Sequence, residues 1–512
     1  MLARKSLLLF VVSMIGSALG FLSTLVIARW MGAAALGTVG YLLGLLGLLG
    51  VALDLGFGQA HLKRVSESDQ ETSAQIGTFL LIKCLLAVTF LILVVLLPWL
   101  RRGLGQTLFA SSEEQQAYYI LAAFYVLHSL ATVFLYTFEA RLETAKETIP
   151  DLGGSVASFV AKAVVASAGL GAVPLSGAYL VEPVVRLLLA GSLFRGYRVG
   201  RATRQHLSSY ARYAAPLTMN TAINMIVTNV NPVVIRAFWS AREVGYYAAV
   251  LGFGLVTDRV ASAVMVPFLP KASSDVARGD WEEMRRRVAV AERYMLMVLI
   301  PLAVVILYFS ADIVGVTLGA DFGAAVPVMI CLVSNSVLSA MLGPYRMVLY
   351  AIERQADLLL SSVVGLGILL AADAVLVPAR WGNVPLLGLA GTGAALAMVL
   401  MTLGSGAIQL RAVGRHAGIG FFWKTLWFIG AGLGMYGGMA VADGFAPLPL
   451  VMRLLLLSCL GLVVYLGILA LARQFSRADL QVFLGLLHPQ RMLDYVSEEL
   501  GQQNPPQRGE YP

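Results

Sequence analysis

The chain has 512 residues, of which 58% are hydrophobic and only 13% charged, with a mean hydropathy of +0.79. A soluble protein carries about 45–50% apolar and about 25% charged residues, so this chain lacks the polar surface to face water throughout. The net charge of +8 would admit nucleic acid as a partner, a reading that the placement of the basic residues removes.

At the start of the chain, Arg4-Lys5 and the apolar run 6–27 mimic a signal peptide. The run is as long as the about 20 residues that a bilayer span needs, which predicts a retained first helix. Fourteen spans are expected, near 7–29, 36–57, 76–98, 117–138, 150–171, 175–195, 213–238, 244–268, 289–309, 324–349, 358–378, 386–409, 421–442 and 450–472. In lipid the backbone must satisfy its own hydrogen bonds, so the spans are helices and the fold class is an all-α polytopic membrane protein. Cys84, Cys331 and Cys459 each sit in a different apolar run and read as small core residues, and the five histidines show no ligand spacing.

Basic residues set the orientation. With the N-terminus inside, the cytoplasmic loops hold Lys63, Arg64, Arg141, Lys146, Arg198, Arg201, Arg204, Arg212, Lys271, Arg278, Arg285, Arg286, Arg287, Arg354, Arg411 and Arg415. The opposite loops hold only Arg101, Arg102, Arg242 and Arg380. This asymmetry accounts for the basic charge without nucleic acid and predicts both termini on the cytoplasmic side of the cell membrane. Trp30, Trp99, Trp239 and Trp381 at outer ends and Trp423 and Trp427 at an inner end form interfacial belts in the same register.

The chain repeats itself. Arg29, Leu36-Gly37-Thr38-Val39 and Lys63 recur as Arg236, Val244-Gly245-Tyr246-Tyr247 and Lys271, displaced by 207 or 208 positions. Both copies begin by crossing outward, so the repeat is parallel, and such halves place a substrate site between them. The expected units are a six-helix lobe over 1–205, a second over 206–415, two extra helices over 416–472 and a cytoplasmic tail over 473–512. The loop 270–287 is expected to hold a short surface helix around Asp280-Trp281-Glu282-Glu283 before Arg285-Arg286-Arg287. That helix either touches anionic lipid or serves orientation alone. An amphipathic interfacial helix is expected over 475–500 and disorder over 502–506.

Enzyme signatures are missing. There is no phosphate-binding loop of the Gly-x-x-x-x-Gly-Lys-Ser/Thr kind, and Gly432-x-Gly434-x-x-Gly437 lies inside an apolar span with no strand before it. No cofactor is expected. Gly16 with Gly20, and Gly430, Gly434 and Gly438, instead suit close helix packing.

The informative residues are ionisable groups at membrane depth, each costing about 2.5–3.5 kcal/mol at the centre of an isolated helix and therefore expected to face the interior. These are Lys162 in the fifth span, Glu182 and Arg186 four apart on one face of the sixth, and Asp258 and Arg259 in the eighth. The seventh span carries Asn220, Asn224, Thr228, Asn229 and Asn231, with Asn220, Asn224 and Asn231 on one face; Ser23 and Thr24 lie in the first. On the functional reading these groups line a net-cationic cavity, the cations attracting phosphate and the amides meeting sugar hydroxyls. On the other, Glu182–Arg186 and Asp258–Arg259 are neutralised packing pairs. Lys162 has no local partner. His128 is either a proton-coupling group or a hydrogen-bonded packing histidine. Arg29 and Arg236 lie near the outer interface as positioning residues.

Ala28-Arg29-Trp30-Met31-Gly32, Leu36-Gly37-x-Val39, Leu53-Asp54-Leu55-Gly56-Phe57-Gly58, Lys63-x-x-Ser66-Glu67, Val266-Pro267-x-Leu269, Gly279-Asp280, Leu376-Val377-Pro378 and Gly388-x-Ala390-Gly391-x-Gly393-Ala394-Ala395 spread over most of the chain. In these runs it resembles the polysaccharide transporter, or O-antigen flippase-like, branch of the multidrug/oligosaccharidyl-lipid/polysaccharide exporter superfamily. The resemblance implies two six-helix lobes around a V-shaped cavity and no enzyme. It implies flipping of a polyprenyl-phosphate-linked oligosaccharide by alternating access, for lipopolysaccharide or another surface glycan. Membrane lipids and glycosyltransferases or a polymerase of the same pathway are the implied partners. The chain departs from the branch in having Gly365, Gly367, Ala371 and Ala372 where asparagines are common, and Ser23-Thr24 where lipid II flippases carry Arg-Asp. A cation-coupled drug or small-solute exporter and a non-transporting scaffold are the rival readings.

Overall fold

The structure is a computed structural model that describes residues 2–68, 70–265, 268–445, 449–475 and Asp479. Within these, the side chains of residues 2–4, 6–7, 255–256, 258–260 and 262–264 are not described. Helix α1 (Leu2–Leu49) carries the first two expected spans, joined where Gly32 takes φ 79° and ψ 175°, a conformation only glycine adopts cheaply. A 3-10 turn (Gly50–Leu53) and a break at 54–56 lead into α2 (Phe57–Glu67). Then come α3 (Thr72–Gly103), α4 (Ser112–Ala140), α5 (Thr144–Ser167) and α6 (Ala172–Leu193). The second half runs α7 (Arg204–Phe238), α8 (Ala241–Met265), α9 (Phe268–Arg278), α10 (Trp281–Tyr308) and α11 (Ser310–Thr317). It continues with α12 (Ala325–Met341) and α13 (Gly343–Ala351), which divide one expected span, and α14 (Gln355–Leu376). A small antiparallel hairpin, β1 (Arg380–Trp381) with β2 (Val384–Pro385), precedes α15 (Ala390–Ala417), α16 (Thr425–Asp443) and α17 (Leu450–Leu471).

Each of the fourteen expected spans overlaps these helices, the tenth being divided between α12 and α13. Ser111, Thr203 and Asp280 cap α4, α7 and α10 by accepting from the backbone N–H three residues on, which explains where those helices start. Among the described residues, eleven helical runs are long and apolar enough to cross a membrane, the first, Leu8–Leu53, being long enough for two. Helix α7 falls below that apolarity because it carries four asparagines.

Many large apolar side chains remain exposed, including Leu85, Val88, Ile92, Val95 and Trp99 on one side of α3. Lipid covers such a face at no cost, so an apolar sequence neighbourhood does not signal burial. Cys84 and Cys459 correct the expectation of core cysteines for this reason: both are exposed, and all three thiols are free.

The two halves meet with an internal symmetry. A Cβ on Gly37 would overlap the Ala241 carbonyl oxygen, and one on Gly245 would overlap the Ala33 carbonyl oxygen. Ala241 and Gly245 stand 208 positions after Ala33 and Gly37, so the contact is exchanged between equivalent sites, as a two-fold interface requires. A Cβ on Gly40 would stand 3.4 Å from that of its own equivalent, Ala248. The arginines of the repeat cross over too. Arg29 of the first half donates to Gly315 O at 3.5 Å in the second, and Arg236 of the second reaches Glu114 of the first at 3.7 Å.

At the other end, α7 starts inside the first half: Tyr210 and Ala214 are buried with Ala60, Phe79, Ile82 and Val133. The surface helix expected around Asp280 is displaced. Residues 268–278 form α9, and Asp280 caps the long α10 instead. Asp275, fully buried, holds α9 to α10 through Arg287 at 2.7 Å and to its own helix through Arg278 at 3.0 Å. The last two helices dock on α10. Thr425 donates to the buried Glu292 at 2.9 Å, Tyr465 to Leu296 O at 3.0 Å, and Tyr308 to Asp443 at 2.9 Å. The segments 480–500 and 502–506, for which an interfacial helix and disorder are expected, lie outside the described residues.

Candidate functional site

In the first half, one cluster of ionisable groups gathers on α4, α5 and α6. Glu182 and Arg186 form the expected i, i+4 pair at 3.0 Å. Arg186 also meets Asp151 of α5 at 2.9 Å and donates to His128 Nδ1 of α4 at 3.1 Å. The side chain of Arg186 is only 11% exposed, so a guanidinium held by two carboxylates is largely neutralised. The close approach of α5 and α6 that allows this depends on Gly154, whose missing Cβ would sit 3.0 Å from Glu182 O. Lys162, buried, has its ammonium 3.7 Å from the centre of the Tyr179 ring, a cation–π contact.

Arg186, Asp151, Glu147, Thr148 and Ser155 line a recess of about 450 Å³ against Leu9, Ser13 and Ser17 of α1. With Asp151 and Glu147 present, that recess is mixed in charge and not net-cationic. Ser23 and Thr24 donate to carbonyls one turn back in their own helix, Leu19 O and Gly20 O, and Ser23 is buried. The side chains of Asp258 and Arg259 lie outside the described residues.

The second half holds a different recess. Asn220 and Asn224 of α7 line a cavity of about 530 Å³ together with α13, α14 and α15. Asn231 does not join them. Eleven residues put it on the same face but about 16 Å further along the axis, at a level where α15 closes in. There it is buried, donating to the Tyr247 hydroxyl at 2.9 Å and to Ala394 O at 3.4 Å.

Three buried groups escaped the sequence reading. Lys83 of α3 meets Asp54 at 2.7 Å and Leu53 O at 3.0 Å, filling the gap left where the backbone leaves helical geometry at Leu55 and Gly56. A lone lysine within an apolar run was the available signal. His61 is buried between the Tyr210 and Thr137 hydroxyls, each at 2.9 Å. Burial, with Lys83 nearby, pushes its pKa down to about 3, which keeps the ring neutral. Asp373 of α14 is 1% exposed, and neither carboxylate oxygen has a hydrogen-bond partner among the described residues. Its face of α14, with Leu369 and Leu376, packs against Val230 of α7 and Ala397 of α15. A shallow concavity of about 680 Å³ on the outer side of α3 is lined by Val88, Leu91, Ile92, Val95, Leu96 and Trp99 and suits an acyl chain, not a polar ligand.

A family model described as a polysaccharide biosynthesis protein matches residues 26–327, more than half of the chain. The probable low-salt glycan biosynthesis flippase Agl15 of Haloferax volcanii is 22% identical over 339 residues, which is 66% of this chain and 70% of that one. Among solved structures, the lipid II flippase MurJ in an inward closed conformation superposes with a TM-score of 0.72 at 15% identity, covering 90% of this chain and 98% of MurJ. An inward-facing multidrug resistance transporter of the MATE family gives 0.60 at 15% identity, covering 78% and 94%. These two structural likenesses are of fold alone: an all-α, polytopic membrane fold.

Proposed function

Because the chain belongs to the polysaccharide biosynthesis protein family, we propose that it flips a polyprenyl-phosphate-linked oligosaccharide across the cytoplasmic membrane by alternating access. On this reading it transports its substrate and catalyses no reaction. The observation that carries it is the presence of polar recesses, one charged and one amide-rich, inside a helical body whose outer face is apolar. Polar groups at that depth are costly unless a polar solute or cavity meets them.

In this reading the lobes 1–205 and 206–415 rock about their shared seam while residues 416–472 ride on the second. Both termini stay in the cytoplasm, where the head group enters, and the lipid tail remains in the bilayer. Glycosyltransferases or a polymerase of the same pathway supply and consume the substrate. Lys162, Arg186 and Glu182, with Asp258 and Arg259, act on the anionic part of the head group. Asn220 and Asn224 meet its sugars; Asn231, Ser23 and Thr24 shape the helices around them.

Lys162 gives the clearest test, because Arg186 is already held by two carboxylates. In proteoliposomes, Lys162→Gln is expected to cut flipping of a fluorescent polyprenyl-diphosphate-linked sugar at least tenfold while the protein melts as the wild type does. Wild-type flipping in that variant would remove Lys162 from the site. No flipping by the wild-type protein would end the flippase reading itself.

A second reading, a cation-coupled exporter of drugs or small solutes, is favoured by one observation. Asp373 is a buried carboxylate without a hydrogen-bond partner among the described residues, a place where a proton or sodium ion is taken up. Drug resistance conferred on a sensitive host, lost in Asp373→Asn, would select it.

A further inference from the structure

The cavity between α7, α13, α14 and α15 has a chemistry unlike that of the charged recess in the first half. Among the described residues of its lining Arg346 is the one that is charged, and none is a carboxylate. Its other polar members are amides and hydroxyls, among them Asn220, Asn224, Gln355, Ser361 and Gln409. An anion site needs several cations or backbone donors, and a cation site needs carboxylates or converging oxygens. Neutral groups that both donate and accept match a ligand whose own groups do the same, and sugar hydroxyls are such groups. Ile223 and Met401 add apolar wall, which suits the C–H faces of a sugar ring.

Gln409 points more specifically to a ligand. It is 6% exposed, its Nε2 donates to Ser361 Oγ at 3.2 Å, and its Oε1 is buried with no hydrogen-bond partner among the described residues. An acceptor sequestered in this way is costly unless a donor reaches it. Asn220 and Asn224, both exposed, stand one turn apart on α7 across the cavity. The volume of about 530 Å³ lies within the range of about 300–1,000 Å³ usual for small-ligand sites. It takes a short stretch of glycan, not a whole lipid-linked molecule. By the charge asymmetry of the loops it sits in the cytoplasmic half of the second lobe, where a head group arrives.

We propose that this cavity is the glycan-reading subsite, which binds an uncharged sugar ring through Gln409, Ser361, Asn220 and Asn224. The proposal rests on the flippase reading and deepens it. The anionic part of the head group is met by the first lobe and the neutral sugar by the second, so sugar specificity resides in α7, α14 and α15.

The test is saturation-transfer NMR on the full chain in phosphatidylcholine nanodiscs, with N-acetylglucosamine, galactose and mannose presented one at a time and inorganic pyrophosphate as competitor. At least one sugar is expected to receive saturation at its ring protons. Gln409→Leu and Asn224→Ala are each expected to reduce that signal at least tenfold, and pyrophosphate to leave it unchanged. Asn224 is exposed, so its variant keeps the test decisive if Gln409→Leu does not fold. Silence from all three sugars, a signal that survives in a folded variant, or displacement by pyrophosphate overturns the subsite. Flipping measured on the same samples separates the two claims. Wild-type flipping at an unchanged rate in both variants overturns the subsite and leaves the flippase standing. Sugar binding without flipping supports the subsite and removes the flippase.

Discussion

At the residue scale, the polar groups that matter are those whose partners lie on other helices. Asp275 is one. Its hydrogen bonds from Arg287 hold its pKa below the ordinary carboxylate value of 3.8, with Arg278 adding to the effect. A carboxylate depressed on folding stabilises the native state above its unfolded value and loses that contribution as pH falls through the folded one. Asp275→Asn is therefore expected to melt at a lower temperature than the wild type above about pH 4. The gap should shrink as the pH is lowered further, and a gap independent of pH would show that the ion pairs contribute nothing.

Glu292 is a second case, taking hydrogen bonds from Tyr345 at 2.7 Å and Thr425 at 2.9 Å while fully buried. Thr425→Val removes one of them. Leaving that buried carboxyl oxygen without its donor costs about 1–3 kcal/mol, so thermal unfolding in detergent is expected several degrees lower. An unchanged melt would mean that α16 is held without it.

Helices carry the next level of argument. The spans read from apolar length fall on helices throughout, because in lipid a backbone has no other way to satisfy itself. What length did not reveal was the kink at Gly32 or the division of α12 from α13. The seam between α1 and α8 depends on two glycines that let backbone touch backbone. Gly37→Val cannot be absorbed by a rotamer change, since the obstacle is the Ala241 carbonyl. Overpacking of this kind costs about 1–3 kcal/mol, enough to shift a two-state equilibrium about 5–150-fold. The seam should open. With the native cysteines replaced, labelling of Ala248→Cys by a membrane-impermeant maleimide is expected to rise severalfold in the Gly37→Val background. Equal labelling in both backgrounds would show that the seam is not what closes this end.

For the molecule as a whole, the reciprocal placement of Gly37 and Gly245, and of Arg29 and Arg236, makes one end of the body a two-fold closure. On the flippase reading, alternating access requires that closure to break in every cycle. A Cβ at position 40 would stand 3.4 Å from that of Ala248, close to the Cβ separation of about 3.5–4.5 Å in a disulfide. The double variant Gly40→Cys and Ala248→Cys, in a background without the native cysteines, is expected to cross-link on oxidation. Flipping in proteoliposomes should stop when it does and return on reduction. Full flipping by the cross-linked protein would mean that the halves do not part there.

Helix class and the internal repeat were open to reading from one dimension. So was the Glu182–Arg186 pair, because i, i+4 neighbours meet on any helix. Asn220 and Asn224 were likewise found in a cavity together, while Asn231, on the same face, was not. Only the tertiary structure brought Asp151 and His128 to Arg186, paired Lys83 with Asp54, and left Asp373 and the Gln409 oxygen without a hydrogen-bond partner among the described residues. The physical reason is that lipid rewards apolar length whatever a helix's rotation. Which polar face meets which is decided by the close approach of small residues, in three dimensions.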